Sequence, residues 1–404
     1  MHDAAGSDAP DPAILPAKAW ELAPLFTANA ADNEARGSLN DATIAALRDG
    51  GFLGMWVPRC FGGAEAWPTQ ALEVIEALCY GDASAGWVLM AAQVAMGSAA
   101  AYLPPDTAKQ LFGAAHPIIA GQGAPNGRAD VVPGGFRLTG RWRYGSGLLH
   151  AEYIHTGGLV FENGTQRALP GTDRPDVRIF ILPVREAELL GNWDVLGLRA
   201  TGSVDYAITD VFVPEEYTHL QSADIARSGG DLYRLTITGI GGICHTGFAL
   251  GTGRRMLDEL AAVARSDEGR PSVLPQRGGG ESFHDQFGAA EARLRSARAF
   301  AYEAWRDVEA TLKRGKPPTT RQTTLCRLAL NHATTSIAEV CNFAYSWGGG
   351  VALRYGTLQR CFRDMHSGTQ HVTTSPNILR ECARELLGLY QGKVWSNRGL
   401  IDPV

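Results

Sequence analysis

The chain of 404 residues lacks the motifs that mark several large enzyme classes. It has no GxxxxGKS/T phosphate loop and no HExxH metal helix, so neither Walker-type nucleotide hydrolysis nor zinc peptidase chemistry is expected. Its seven cysteines (Cys60, Cys79, Cys244, Cys326, Cys341, Cys361 and Cys382) are odd in number and form no CxxC pair. They read as small buried hydrophobes in a reducing cytoplasm, without a disulfide framework or a zinc site. No basic block is present. With 37 Lys+Arg against 42 Asp+Glu the net charge is -5, which argues against a nucleic-acid partner. No basic segment followed by an apolar run opens the chain, so no signal peptide is read. The one long uncharged run, Gly86 to Leu103, carries Gln93 and Ser98 and barely reaches spanning length; a buried helix is expected, and no membrane.

Other signs fail on inspection. In YGSGLL, Tyr144 stands where a nucleophile elbow needs its first glycine, so Ser146 is not a hydrolase nucleophile. In LTITGIGGICHTG, Gly239 and Gly241 follow a strand-like run. Cys244 takes the third glycine position of a dinucleotide fingerprint, so no Rossmann nicotinamide site is read. His366 and His371 are five apart, which does not place two metal ligands on one helical face.

What is present is a change of texture along the chain, giving an α+β fold. Residues 1–116 read as an N-terminal helical domain: Asn40 or Asp41 can cap a helix that Gly50-Gly51 stops, another helix runs from about Thr69, and GDASAGW restarts helix. Residues 117–225 show short alternating strands broken by glycine and proline, the pattern of an antiparallel barrel or sandwich. Residues 226–404 return to helical period, with one helix over Asp285–Lys313 and an apolar stripe from Leu325 to Ala344; four long helices make a bundle. RGGGES, residues 277–282, reads as a mobile loop.

Three stretches resemble the acyl-CoA dehydrogenase superfamily, and more closely its flavin-dependent monooxygenase branch. They are GGFRLTGRWRYGSGLLHAEY, GNWDVLGLRATGSVDYAITDVFVP and SWGGGVALRYGTLQRCFRDMHSGTQH. Dehydrogenases of the family commonly carry a catalytic glutamate soon after the Arg-Asp pair; here the region reads HVTTSPN, which argues against desaturation of an acyl thioester.

The resemblance implies a two-component enzyme that takes reduced flavin (FMN or FAD) from a separate NAD(P)H:flavin reductase. With O2 such enzymes form a flavin C(4a)-hydroperoxide, which oxygenates an aromatic, phenolic or amine-bearing metabolite. It also implies a homotetramer with flavin sites between subunits. Ser146 is the candidate hydrogen-bond partner of the flavin ring nitrogen. His371 is the candidate general base, or the group that orients the distal oxygen. Trp142 and Tyr144 are expected along the flavin face, Thr201 and Ser203 at its polar edge, and Gly348, Gly349 and Gly350 near a phosphate. His150, His245 and His366 are candidate pocket histidines, and Gln93 lies where some relatives place another. Arg363 and Asp364 read as a structural pair. The competing readings are a dehydrogenase with a displaced base and a flavin-free binding protein.

Overall fold

The computed structural model describes residues 9–266, 280–396 and 399–402. Five helices come first: α1 (Leu15–Arg36), α2 (Asp41–Asp49), α3 (Pro68–Gly81), α4 (Ala83–Tyr102) and α5 (Pro105–Phe112). Asn40 caps α2 by accepting the Thr43 N–H at 2.9 Å, and Gly51 at φ 76° makes the left-handed turn after it. Asp82 caps α4 through the Ser84 N–H. The uncharged run seen in the sequence is α4, and it is buried almost throughout as a core helix. Gln93 within it gives its amide to the Leu53 carbonyl at 2.8 Å and accepts the Trp56 N–H at 2.9 Å. That side chain, expected in a pocket, is a sealed structural bridge because a buried amide must satisfy both ends.

The strands are β1 (Ile119–Ala120), β2 (Pro125–Val132), β3 (Gly135–Gly145), β4 (Tyr153–Glu162), β5 (Thr165–Gln166), β6 (Val177–Pro183), β7 (Glu188–Leu189), β8 (Val204–Pro214) and β9 (Thr218–Leu220). They form one sheet in the order β7-β8-β3-β2-β4-β6-β9, with β1 and β5 both paired to β4. The expected antiparallel barrel is instead a mixed sheet. After the β2–β3 hairpin, β4 returns to the far side of β2 and so runs parallel to it, as β1 does to β4. At the far end of β3 the pairing with β8 slips between Trp142 and Gly145, and Tyr144 takes φ 62°.

The remaining helices are α6 (Thr236–Arg265), α7 (Glu281–Leu312), α8 (Thr320–Leu353), α9 (Thr357–Gly368) and α10 (Pro376–Leu386), followed by a short hairpin of β10 (Val394–Trp395) and β11 (Leu400–Ile401). The strand-like LTIT run forms no strand; helix α6 begins within it, at Thr236. Glycines on α6 admit α3 at close range: a Cβ at Gly251 would lie 2.1 Å from the Glu76 carbonyl oxygen. Three helices of the bundle are long, and the short α9 packs against α6 and α8 in the fourth place. The Gly348–Gly350 run is a kink inside α8, where Gly349 at φ 51°, ψ -132° bends a helix that resumes to Leu353. Of RGGGES, residues 277–279 lie outside the described residues, whereas Glu281 and Ser282 open α7.

One hydrophobic core runs from Leu15 on α1 to Met365 on α9, so both helical segments bury into each other. The sheet has a smaller core of its own, with Trp142 stacked on Tyr206 at 5.3 Å between ring centroids.

Candidate active site

Four segments meet around Trp87 on α4. Its indole N–H donates to Ser146 Oγ at 3.1 Å, at the turn that ends β3. Its ring meets His245 and Phe248 of α6 edge-on at 5.1 and 5.0 Å, and His371, just past α9, at 6.0 Å. The imidazoles of His245 and His371 lie 3.9 Å apart and 30° from parallel. Gly368 permits this approach, since a Cβ there would be 2.2 Å from Phe248 Cε1.

Burial lowers the His371 pKa to about 4 and pushes that of His245 well below the ordinary value, with His371 opposing its charge further. Both rings are therefore neutral near pH 7. His371 Nδ1 faces the Thr373 hydroxyl at 2.9 Å and accepts the Thr373 backbone N–H at 3.4 Å. That network assigns the proton of the neutral ring to Nε2.

Behind Ser146 stands the GLRATGS loop. Ser146 Oγ meets Ser203 Oγ at 2.7 Å, Ser203 meets Thr201 Oγ1 at 2.6 Å, and Thr201 donates to the Leu198 carbonyl at 2.7 Å. Asp364 fixes the loop by accepting the Leu198 N–H at 2.6 Å. Arg363 donates to the Leu196 carbonyl and pairs with Glu34 at 2.6 Å. The two residues thus do not pair with each other as the sequence reading had it; each ties α9 to a different group.

Among the expected site residues, the structure brings Ser146, His245 and His371 together. Thr201 and Ser203 lie buried behind Ser146 with their hydroxyls engaged, instead of lining an open edge. Trp142, expected against the flavin, is fully buried within the sheet and donates to the Gly157 carbonyl at 2.9 Å. Tyr144 is 61% exposed, edge-on to Trp193 at 6.3 Å. Its bulged backbone turns the side chain out of the strand. His150 accepts the Leu39 N–H at 3.1 Å, and His366 bonds Asn342 at 2.9 Å beneath Phe362; neither joins the cluster. Gly348–Gly350 stand apart from it at the α8 kink. Trp87 and Phe248 escaped sequence reasoning. The available signal was the indole N–H on an uncharged helix, a donor that needs a buried acceptor.

Residues 21–110 match the family model for the acyl-CoA dehydrogenase N-terminal domain, and residues 243–376 that for the acyl-CoA dehydrogenase C-terminal domain. The chain belongs to this superfamily. It is 33% identical over 343 residues to the indole-3-acetate monooxygenase of Pseudomonas putida, covering 81% of this chain and 82% of the relative. It is 26% identical over 372 residues to the flavin-dependent monooxygenase oxygenase subunit HsaA of Rhodococcus jostii, covering 88% and 93%. XiaF from Streptomyces sp., solved with FADH2 and glycerol, shares the fold at TM-score 0.82 and 20% identity, covering 93% and 96%. Within the superfamily this chain is a flavin-dependent monooxygenase, and reduced flavin is its cofactor.

Proposed function

We propose that the chain is the oxygenase component of a two-component system, receiving reduced FMN or FAD from a separate reductase and hydroxylating a small aromatic metabolite. The observation that carries this is the meeting of Ser146, Trp87 and the neutral His245–His371 pair at one apolar junction. Tyr144 on β3 and Leu196, just before the GLRATGS loop, stand 61% and 62% exposed and offer apolar surface to a planar ring. Bound reduced flavin supplies the electrons that activate O2 so that one oxygen atom enters the substrate.

Ser146 accepts a ring N–H, with its own hydroxyl fixed from behind. Trp87 and Phe248 keep water from that contact. His371, neutral and protonated on Nε2, orients the reacting group by donation. Of the two roles expected from sequence, the resting site suits orientation better than general-base catalysis. An aromatic substrate suits the indole, phenyl and imidazole walls, in keeping with the indole-3-acetate relative. Among the described contacts no carboxylate touches this cluster, which leaves desaturation of a thioester without its base. The seven unpaired thiols suit the cytoplasm, and a homotetramer is the proposed assembly.

The test supplies chemically reduced flavin, O2 and indole-like or phenolic substrates, then measures hydroxylated product and hydrogen peroxide. Wild type should couple flavin oxidation to product. Ser146→Ala should bind flavin yet shift turnover to peroxide, with product formation down about a hundredfold, the scale of one lost preorganised partner. Normal coupling in that variant removes Ser146 from the mechanism.

A further inference from the structure

The hydroxyls behind Ser146 have no freedom in how their protons are arranged. Three oxygen–oxygen contacts run in series: Ser146 to Ser203 at 2.7 Å, Ser203 to Thr201 at 2.6 Å, and Thr201 to the Leu198 carbonyl at 2.7 Å. Oxygens this close repel unless a proton lies between them. The carbonyl brings none, so three contacts share three hydroxyl protons, one each. Thr201 donates to Leu198, Ser203 to Thr201, and Ser146 to Ser203. Ser146 also accepts the Trp87 N–H at 3.1 Å. Its proton is spent inward, so the lone pair left on its oxygen can only accept.

We infer that Thr201 and Ser203 are positioning residues that hold Ser146 as an acceptor, so that the pocket reads the redox state of the flavin ring. This rests on the proposal that Ser146 faces that ring. The central ring nitrogen carries a hydrogen when the flavin is reduced and offers only a lone pair when it is oxidised. A reduced ring therefore completes the chain, whereas an oxidised ring sets two acceptors against each other. To serve the oxidised ring Ser146 must withdraw its proton from Ser203, leaving a 2.7 Å contact with no hydrogen in it. Thr201 and Ser203 are sealed from solvent, so water does not replace that proton. The far end cannot swing away either: the Leu198 carbonyl also accepts the Thr201 N–H and the Trp193 indole N–H, both at 3.1 Å, and its N–H is held by Asp364 at 2.6 Å.

The experiment is an anaerobic titration of the full chain with FMN and with FAD, each oxidised and chemically reduced, taking the ratio of the two Kd values. Thr201→Val keeps the side-chain shape without the hydroxyl, Ser203→Ala cuts the chain one step nearer, and Thr201→Ser restores it. Thermal melts of the flavin-free variants report folding. In wild type the reduced form binds more tightly. Thr201→Val and Ser203→Ala narrow the ratio about tenfold, chiefly by tightening oxidised flavin, as one neutral hydrogen bond predicts, and Thr201→Ser keeps the wild-type ratio. An unchanged ratio in Thr201→Val and Ser203→Ala, with flavin still bound, overturns the inference and leaves the oxygenase reading intact. So does a Thr201→Ser ratio that falls with Thr201→Val, because shape and not proton direction then matters. Failure of wild type to bind reduced flavin overturns the oxygenase reading itself.

Discussion

His371 carries a prediction about pH. With burial holding its pKa at about 4, the ring keeps one protonation state from pH 6 to 9, and hydroxylation by the reduced-flavin enzyme should show no histidine limb there. His371→Gln, which preserves an N–H donor, should retain far more product formation than His371→Ala; the latter falls by about a hundredfold, as one acid–base or orienting group does. A rate limb near pH 6.5 that disappears in His371→Gln would instead make this residue a base. The sequence singled out Ser146 and His371 by their motifs, and the structure brings both side chains against Trp87. It did not expose Trp87, whose importance comes from three partners distant in the chain. It misplaced Trp142 because an aromatic on a strand reads alike whether it faces a ligand or the sheet interior.

Among the elements, α9 and the GLRATGS loop act together, and Asp364 is the fastener. Burial, reinforced by Asp82, raises its carboxyl pKa to about 7. A raised carboxyl pKa means that the folded state holds its proton more tightly, so the stability it contributes is complete below the unfolded value and is lost as pH rises through about 7. Asp364→Asn keeps an acceptor for Leu198 and never ionises, so its melting temperature relative to wild type should improve between pH 5.5 and pH 8.5. Asp364→Ala strands the Leu198 N–H and should cost about 1–3 kcal/mol in denaturant unfolding at either pH. A difference between Asp364→Asn and wild type that does not move with pH would show the carboxyl to be ionised throughout. Helix ends were readable from Asn40, from Gly50-Gly51 and from the restart at GDASAGW, since caps are local chemistry. The parallel pairing of β2 with β4 was not, because it depends on which side of a finished hairpin the next strand takes. Nor was the helical fate of LTIT, since α6 begins at Thr236 within a run whose composition suits a strand.

At the scale of the whole molecule, the C-terminal helical segment carries exposed apolar side chains: Leu353 and Tyr355 after the α8 kink, Leu387 and Leu389 after α10. On the proposed tetramer these surfaces meet other copies, and light scattering should give about four times the 43.2 kDa of one chain. Tyr355→Glu combined with Leu387→Arg should lower that mass; a tetramer unmoved by both charges places the contacts elsewhere. The shared core of the two helical segments bears on how the chain is born. On the ribosome, α3 is made long before α6, the partner that fills its face, and the whole sheet is synthesised between them. At roughly 5–20 residues per second that interval is on the order of ten seconds or more. Through it the N-terminal helices hold their apolar faces open, so the nascent chain is a natural client for chaperones and gains its final form only when the C-terminal helices arrive.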